Sequence, residues 1–207
     1  MYQVHKYGPQ VKIINDLFLN SLLTKLCSPN TVQPQANQLI ELLYAGMLGT
    51  VVSDGFFSQQ VKVSTRMTNI HKDQFYEGPV IDPNCPIVVA NLARAGTIPS
   101  YVIYQMLNQV LPHQKVRQDH IMATRETDTN GRAIGANFGA AKIGGSIENS
   151  IVLFPDPMGA TGGTIAAAVE HYTKKVHGPA RKFMALHLIV TPEHLRKITT
   201  QHPDMSI

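Results

Sequence analysis

Between residues 11 and 26 the apolar residues Ile13, Ile14, Leu17, Phe18, Leu22, Leu23 and Leu26 recur at helical spacing. Ser28-Pro29-Asn30 ends that pattern. A second helix is expected from near Pro34, a residue suited to an early helical position. Its apolar set is Leu39, Leu42, Leu43, Ala45, Met47 and Leu48. Residues 1–60 therefore read as an N-terminal helical arm with a large apolar face. Core packing accounts for such a face, and a dimer surface is the alternative. Val61 to Thr65 reads as a short strand. Residues 67–86 read as loop, broken by Gly78-Pro79 and Asp82-Pro83.

From residue 86 the pattern changes. The run IVVANL after Pro86 is short, apolar and bounded by turn formers, as a buried strand requires. A helix over about 98–110 follows, then a strand over 116–124. Residues 126–149 are rich in Gly, Asn, Thr and Ala and show neither periodicity. Ile151 to Phe154 is a further buried strand. Thr164 to Lys175 reads as a helix with Ile165, Val169, Tyr172 and Val176 on one face. Phe183 to Val190 reads as a strand and Pro192 to Thr200 as a last helix. Strands alternating with helices predict an α/β fold with a mostly parallel sheet and helices on its faces. No repeat or linker divides the chain, so residues 1–207 form a single expected domain, with 86–207 as its core.

Composition narrows the function. The 207 residues are 43% hydrophobic and 15% charged, enough to bury a core and lean toward self-association. The net charge is +4, yet no run of Lys or Arg exceeds a pair such as Lys174-Lys175. A nucleic-acid footprint would be a dense basic stripe, so nucleic acid is not an expected partner. No apolar run approaches the roughly 18 to 20 residues that span a bilayer, so no membrane role is expected. The start MYQVHKYGPQ has no signal-peptide core. Cys27 and Cys85 have no metal-ligand spacing and suit a reducing, cytoplasmic setting. The nine histidines are scattered and read as structural or surface residues.

The chemistry concentrates in IVLFPDPMGATGGTI, residues 151–165. A buried strand delivers the chain to a glycine-rich turn, and a helix starts at once. Helix N-termini present unpaired N–H groups, and glycines let the backbone fold tightly around one anion. Thr161 and Thr164 can add hydroxyl donors. No Lys follows the glycines, as the ATP-binding loop G-x-x-x-x-G-K-[ST] needs, and the glycine spacing is not that of a dinucleotide fold. The acid, Asp156, precedes the loop. A carboxylate repels phosphate, so it is expected to face sugar hydroxyls, directly or through a metal.

The stretch DPMGATGGT resembles the phosphoribosyl pyrophosphate loop of type I phosphoribosyltransferases, and its Pro-Met resembles the uracil branch in particular. NLARAG at 91–96, MATRETDT at 122–129 and VTPEHLRKITTQHPDMSI from Val190 are similar to further segments of that family. The resemblance covers about residues 86–207. It implies the type I phosphoribosyltransferase fold with a flexible hairpin hood over residues 126–149. Lys142 in that segment could swing over a ligand, but a solvated loop lysine is the preferred reading. The resemblance implies glycosyl transfer from 5-phosphoribosyl 1-pyrophosphate to uracil, giving uridine monophosphate and pyrophosphate, with Mg²⁺ carried on the pyrophosphate. By resemblance Asp156 binds the ribose hydroxyls. The backbone of Met158, Gly159, Ala160, Thr161, Gly162, Gly163 and Thr164, with the Thr161 and Thr164 hydroxyls, holds the 5′-phosphate, and Pro157 belongs to the same donor-binding loop. Arg94 and Arg125 meet the pyrophosphate, a role that suits guanidinium. A homodimer or higher homo-oligomer is implied. Relatives continue beyond the point matching Ile207 with a glycine-rich turn that reads the base, and the sequence given has no counterpart to it. Two functional classes stay open: an enzyme acting on uracil or another base, and a non-catalytic sensor of phosphoribosyl pyrophosphate or a nucleotide.

Overall fold

The computed structural model describes residues 2–127 and 133–207, and the side chains of all of these except 124–127 and 133–137. Helix α1 spans Leu17–Leu26 and α2 spans Gln35–Gly55. The first starts later than the apolar spacing suggests, because the Asp16 carboxylate accepts the Leu19 N–H at 2.9 Å and caps it there. Ile13 and Ile14 consequently lie outside the helix. Leu39, Leu43, Met47 and Val51 repeat every four residues along the buried face of α2.

Strands β1 (Ser58–Ser64) and β2 (Phe75–Ile81) form a two-stranded antiparallel ribbon, placing a strand within the expected loop. The central sheet has five strands in the order β5-β4-β3-β6-β8. They are β3 (Ile87–Ala93), β4 (Val116–Thr127), β5 (Ala133–Lys142), β6 (Ile151–Pro155) and β8 (Lys182–Leu186). Only the β4–β5 pair is antiparallel; the other pairings are parallel. The expected flexible hood over 126–149 thus includes the β5 arm of an antiparallel hairpin, while residues 128–132, within that segment, lie outside the described residues.

Helices α3 (Thr97–Leu107), α4 (Gly163–Lys175) and α5 (Pro192–Gln201) complete the layers. Successive strand residues point to opposite faces, and both faces are covered. Ile87, Val89, Ile151 and Leu153 pack with Tyr44, Met47 and Leu48 of α2 and with Ile103 and Leu107 of α3. Val88, Ala90, Val152 and Phe154 pack with Ile165, Val169 and Tyr172 of α4 and Ile198 of α5. This is the mostly parallel, two-sided sheet that the alternation of elements predicts. The expected strand over 183–190 is divided: β8 ends at Leu186, and Ile189–Val190 forms a separate strand, β9. Strand β9 pairs in parallel with β7 (Met158–Gly159), inside the glycine-rich loop. No helix among the described residues is long and apolar enough to cross a membrane.

Candidate active site

A cavity of about 340 Å³ opens at the carboxyl ends of β3 and β6, where open parallel sheets bind ligands. Its wall gathers Arg94, Asp156, Met158 through Ile165, Ala123 of β4 and His194 of α5. Arg94 directly follows β3 and is exposed. Asp156 directly follows β6, where its N–H donates to Leu186 O at 3.0 Å. Pro157 is not among the wall residues, but its carbonyl anchors the loop. The structure therefore brings Asp156, Arg94 and the loop into one site. Arg125 does not follow the end of its strand as expected. Parallel pairing of β3 with β4 stops at Met122, and β5 carries β4 on through Thr127, placing Arg125 opposite Ala136. Its side chain lies outside the described residues. Lys142 is the last residue of β5, paired with His120, and is not in the wall.

The loop is held by its carbonyls. Pro157 O accepts from the N–H groups of Leu188 and Ile189, both at 3.1 Å, and Gly159 O accepts from Thr191 N–H at 2.9 Å. The Thr191 hydroxyl donates to Ala160 O. The same hydroxyl oxygen accepts the His194 N–H at 3.1 Å, capping α5. The N–H groups point elsewhere. Those of Ala160, Thr161 and Gly162, and of Thr164 and Ile165 in the first turn of α4, have no acceptor among the described residues. The Gly163 N–H reaches the Thr161 hydroxyl at 3.5 Å. Gly162, the residue before α4, has φ of +75°, a conformation that glycine adopts without strain. Five unpaired donors at the positive end of a helix dipole form a receptor for an anionic oxygen group.

Beneath the loop lie two histidines. His194, 1% exposed, has both ring nitrogens buried without a partner. A Cβ on Gly159 would stand 2.7 Å from His194 Nδ1, so the ring fills the space a side chain there would need. His187 Nδ1 donates to Asp156 O at 2.6 Å, and its Nε2 is buried and unpaired. Burial, reinforced by the neighbouring His194, lowers the His187 pKa to about 3; burial lowers that of His194 to about 4. Both rings are neutral at pH 7. Tyr44, on α2, donates to Leu186 O at 2.9 Å, and burial followed by the Asp156 charge pushes its phenol well up. Thr191, His187 and His194 were not legible as site residues; the one sequence signal was a Thr-Pro pair at a helix start.

A protein from Aquifex aeolicus, AQ2163, is similar in structure, with a TM-score of 0.75 and 18% identity over 95% of this chain and 84% of that one. Adenine phosphoribosyltransferase from Leishmania tarentolae is similar with a TM-score of 0.54 and 14% identity, over 98% of this chain and 89% of that one. At such identities the likeness concerns the fold, which is that of phosphoribosyltransferases. A family model described as uracil phosphoribosyltransferase matches residues 13–207. The chain belongs to the uracil phosphoribosyltransferase family, and phosphoribosyl transfer is the general chemistry that family and fold support.

Proposed function

We propose that the chain transfers the phosphoribosyl group of 5-phosphoribosyl 1-pyrophosphate to uracil, releasing pyrophosphate and forming uridine monophosphate. The observation that carries this reading is the set of five unpaired N–H groups of Ala160, Thr161, Gly162, Thr164 and Ile165, in one wall with Asp156 and Arg94. In it the loop from Met158 to Thr164 holds the 5′-phosphate through N–H groups and the Thr161 and Thr164 hydroxyls. Asp156 accepts hydrogen bonds from the ribose hydroxyls. Arg94, joined by Arg125 from β4, meets the pyrophosphate. Uracil rests on the family match.

The base nitrogen attacks the anomeric carbon as the bond to pyrophosphate breaks, and its proton passes to solvent or to the leaving group. Positive charge gathers on the sugar and negative charge on pyrophosphate in the transition state. The site therefore works by holding both groups in line and balancing charge, with no covalent nucleophile. Among the described residues no three His, Cys, Asp or Glu side chains gather as a cation cage, and Asp156 is the one carboxylate among the wall residues. Mg²⁺ bound through the substrate pyrophosphate and water would need no such cage, and Asp156 stays with the ribose hydroxyls. When bound, the ion would neutralise charge on the leaving group.

Exposed apolar residues of α1 (Leu17 and Phe18) and of the β1–β2 ribbon (Val63, Phe75 and Tyr76) support a homo-oligomer. Both cysteines are free, which agrees with a cytoplasmic setting. Pyrophosphate release from phosphoribosyl pyrophosphate, assayed with uracil, cytosine, orotate, adenine and hypoxanthine, tests the reading. Release with uracil alone is expected. Release with a different base would correct the acceptor, and donor binding without release for any base would replace the enzyme with a sensor.

A further inference from the structure

Helix α5 brings a second residue to the glycine-rich loop. His194 and Lys197 are three positions apart and share a face of the helix. His194 packs against Gly159, as described. A Cβ on Gly162 would lie 3.4 Å from Lys197 Cβ, so the lysine stem runs beside the loop. A Cβ on Gly163 would lie 3.8 Å from Lys197 Nζ and 3.6 Å from the Thr161 hydroxyl. The ammonium therefore stands beside the first turn of α4, where the unpaired N–H groups are. It has no carboxylate or carbonyl partner among the described residues.

Charge balance gives that position a purpose. Arg94 is the one cation among the described wall residues, and it belongs to the segment that follows β3, not to the glycine-rich loop. Backbone N–H groups and hydroxyls alone would leave a phosphate of charge near −2 without a full compensating cation at the loop. A lysine supplies a point charge on a flexible stem that can swing by an ångström or two as the ligand enters. Lys197 is half-buried, so its charge is only partly screened by water.

We propose that Lys197 is a contact of the 5′-phosphate of the donor, the cationic member of a site otherwise built from backbone N–H groups. This rests on the donor reading above and adds a residue that the loop motif does not contain. It follows that Lys197 acts on ligands carrying the ribose 5-phosphate and is indifferent to those carrying only the pyrophosphate.

The test is calorimetric titration of the wild-type chain, K197M and K197R with phosphoribosyl pyrophosphate, ribose 5-phosphate and magnesium pyrophosphate. Met keeps the stem beside Gly162, and an unchanged thermal melt establishes that the variant is folded. K197M is expected to bind ribose 5-phosphate and phosphoribosyl pyrophosphate about tenfold more weakly, the size of one charge-assisted hydrogen bond. It should bind magnesium pyrophosphate as the wild type does. K197R should recover most of the loss, and the gap between K197M and wild type should narrow as salt is raised. Binding of ribose 5-phosphate by K197M within twofold of wild type overturns the assignment. So does an equal loss for pyrophosphate, which would mark a general field effect. A wild-type chain that binds neither phosphorylated ribose overturns the donor reading itself, which separates the two failures.

Discussion

The imidazoles of His187 and His194 meet edge to face beneath the glycine-rich loop, with ring centroids 4.5 Å apart and planes at 81°. His187 holds the Asp156 carbonyl, and His194 fills the space behind Gly159. Two neutral rings thereby support the segment from Asp156 to Gly159 that leads into the unpaired N–H groups. Their neutrality makes the support dependent on pH.

Both histidines have folded-state pKa values, about 3 and about 4, below the value near 6.5 of an unfolded chain. Between those limits the unfolded chain binds more protons than the folded one. Stability is therefore fully present above about pH 6.5 and is lost as pH falls toward 4. Each such ring contributes up to about 1.4 kcal/mol per pH unit in that window. Urea unfolding followed from pH 7.5 to 4.5 should show a midpoint that falls steeply below pH 6. H194Q, which cannot be protonated, should flatten the slope. A slope identical in wild type and H194Q would remove His194 from this role.

Gly159→Ala is expected to disturb the loop from behind. The new methyl would stand 2.7 Å from His194 Nδ1 and 2.8 Å from its Cε1. Overpacking at a buried position of this kind costs about 1 to 3 kcal/mol. Phosphoribosyl pyrophosphate binding should weaken with it, because the β7–β9 pairing that fixes the loop must shift. Removing the ring in G159A/H194A should recover much of both losses. A double-mutant cycle on stability and donor affinity measures that coupling, and strict additivity of the two substitutions would show that the contact is not what constrains residue 159.

Much of this site was legible in one contiguous stretch. Asp156, the glycines and the following helix are neighbours in sequence, and their chemistry follows from local geometry. The support was not legible because it arrives from α5 and β9, with Thr191 reaching Ala160 across 31 positions. Two-residue strands such as β7 and β9 carry no periodicity to detect. The same limit explains β2 and β5. Phe75–Ile81 contains Gly78-Pro79, which reads as a turn, yet Pro79 is accommodated because the ribbon has only one partner strand. Ala133–Lys142 is poor in β-forming residues and becomes a strand through pairing with β4. The two-sided burial of β3 and β6, by contrast, was written in their continuous apolar runs.

Thr191→Val keeps the shape of the side chain and removes two hydrogen bonds. The hydroxyl caps α5 through the His194 N–H and donates to Ala160 O within the loop. Loss of such a cap costs about 1 to 2 kcal/mol. The expected signature is a modest fall in the unfolding midpoint together with a several-fold rise in the KM for phosphoribosyl pyrophosphate. Thr191→Ser, which retains the hydroxyl, should restore the KM. If Val and Ser variants share one KM, the Ala160 contact does not shape the loop.

Asp119 ties the helix behind the loop to the hairpin. Its carboxylate, 0% exposed, accepts from Arg117 Nε at 3.0 Å, the Gly144 N–H at 2.9 Å and the Tyr172 hydroxyl at 2.9 Å. These groups belong to β4, the segment after β5, and α4. Burial first, and the Asp119 charge second, push the Tyr172 phenol far up, so it remains an O–H donor through the neutral range. Tyr172→Phe removes one donor and leaves the other two, for a cost of about 1 to 2 kcal/mol. Asp119→Ala removes the acceptor of all three and leaves the Arg117 charge uncompensated, for about 3 to 5 kcal/mol. Urea unfolding of both variants orders the two costs. The carboxylate joins β4, the hairpin and α4 if its loss is clearly the larger; equal costs would reduce the network to a single Tyr–Asp pair.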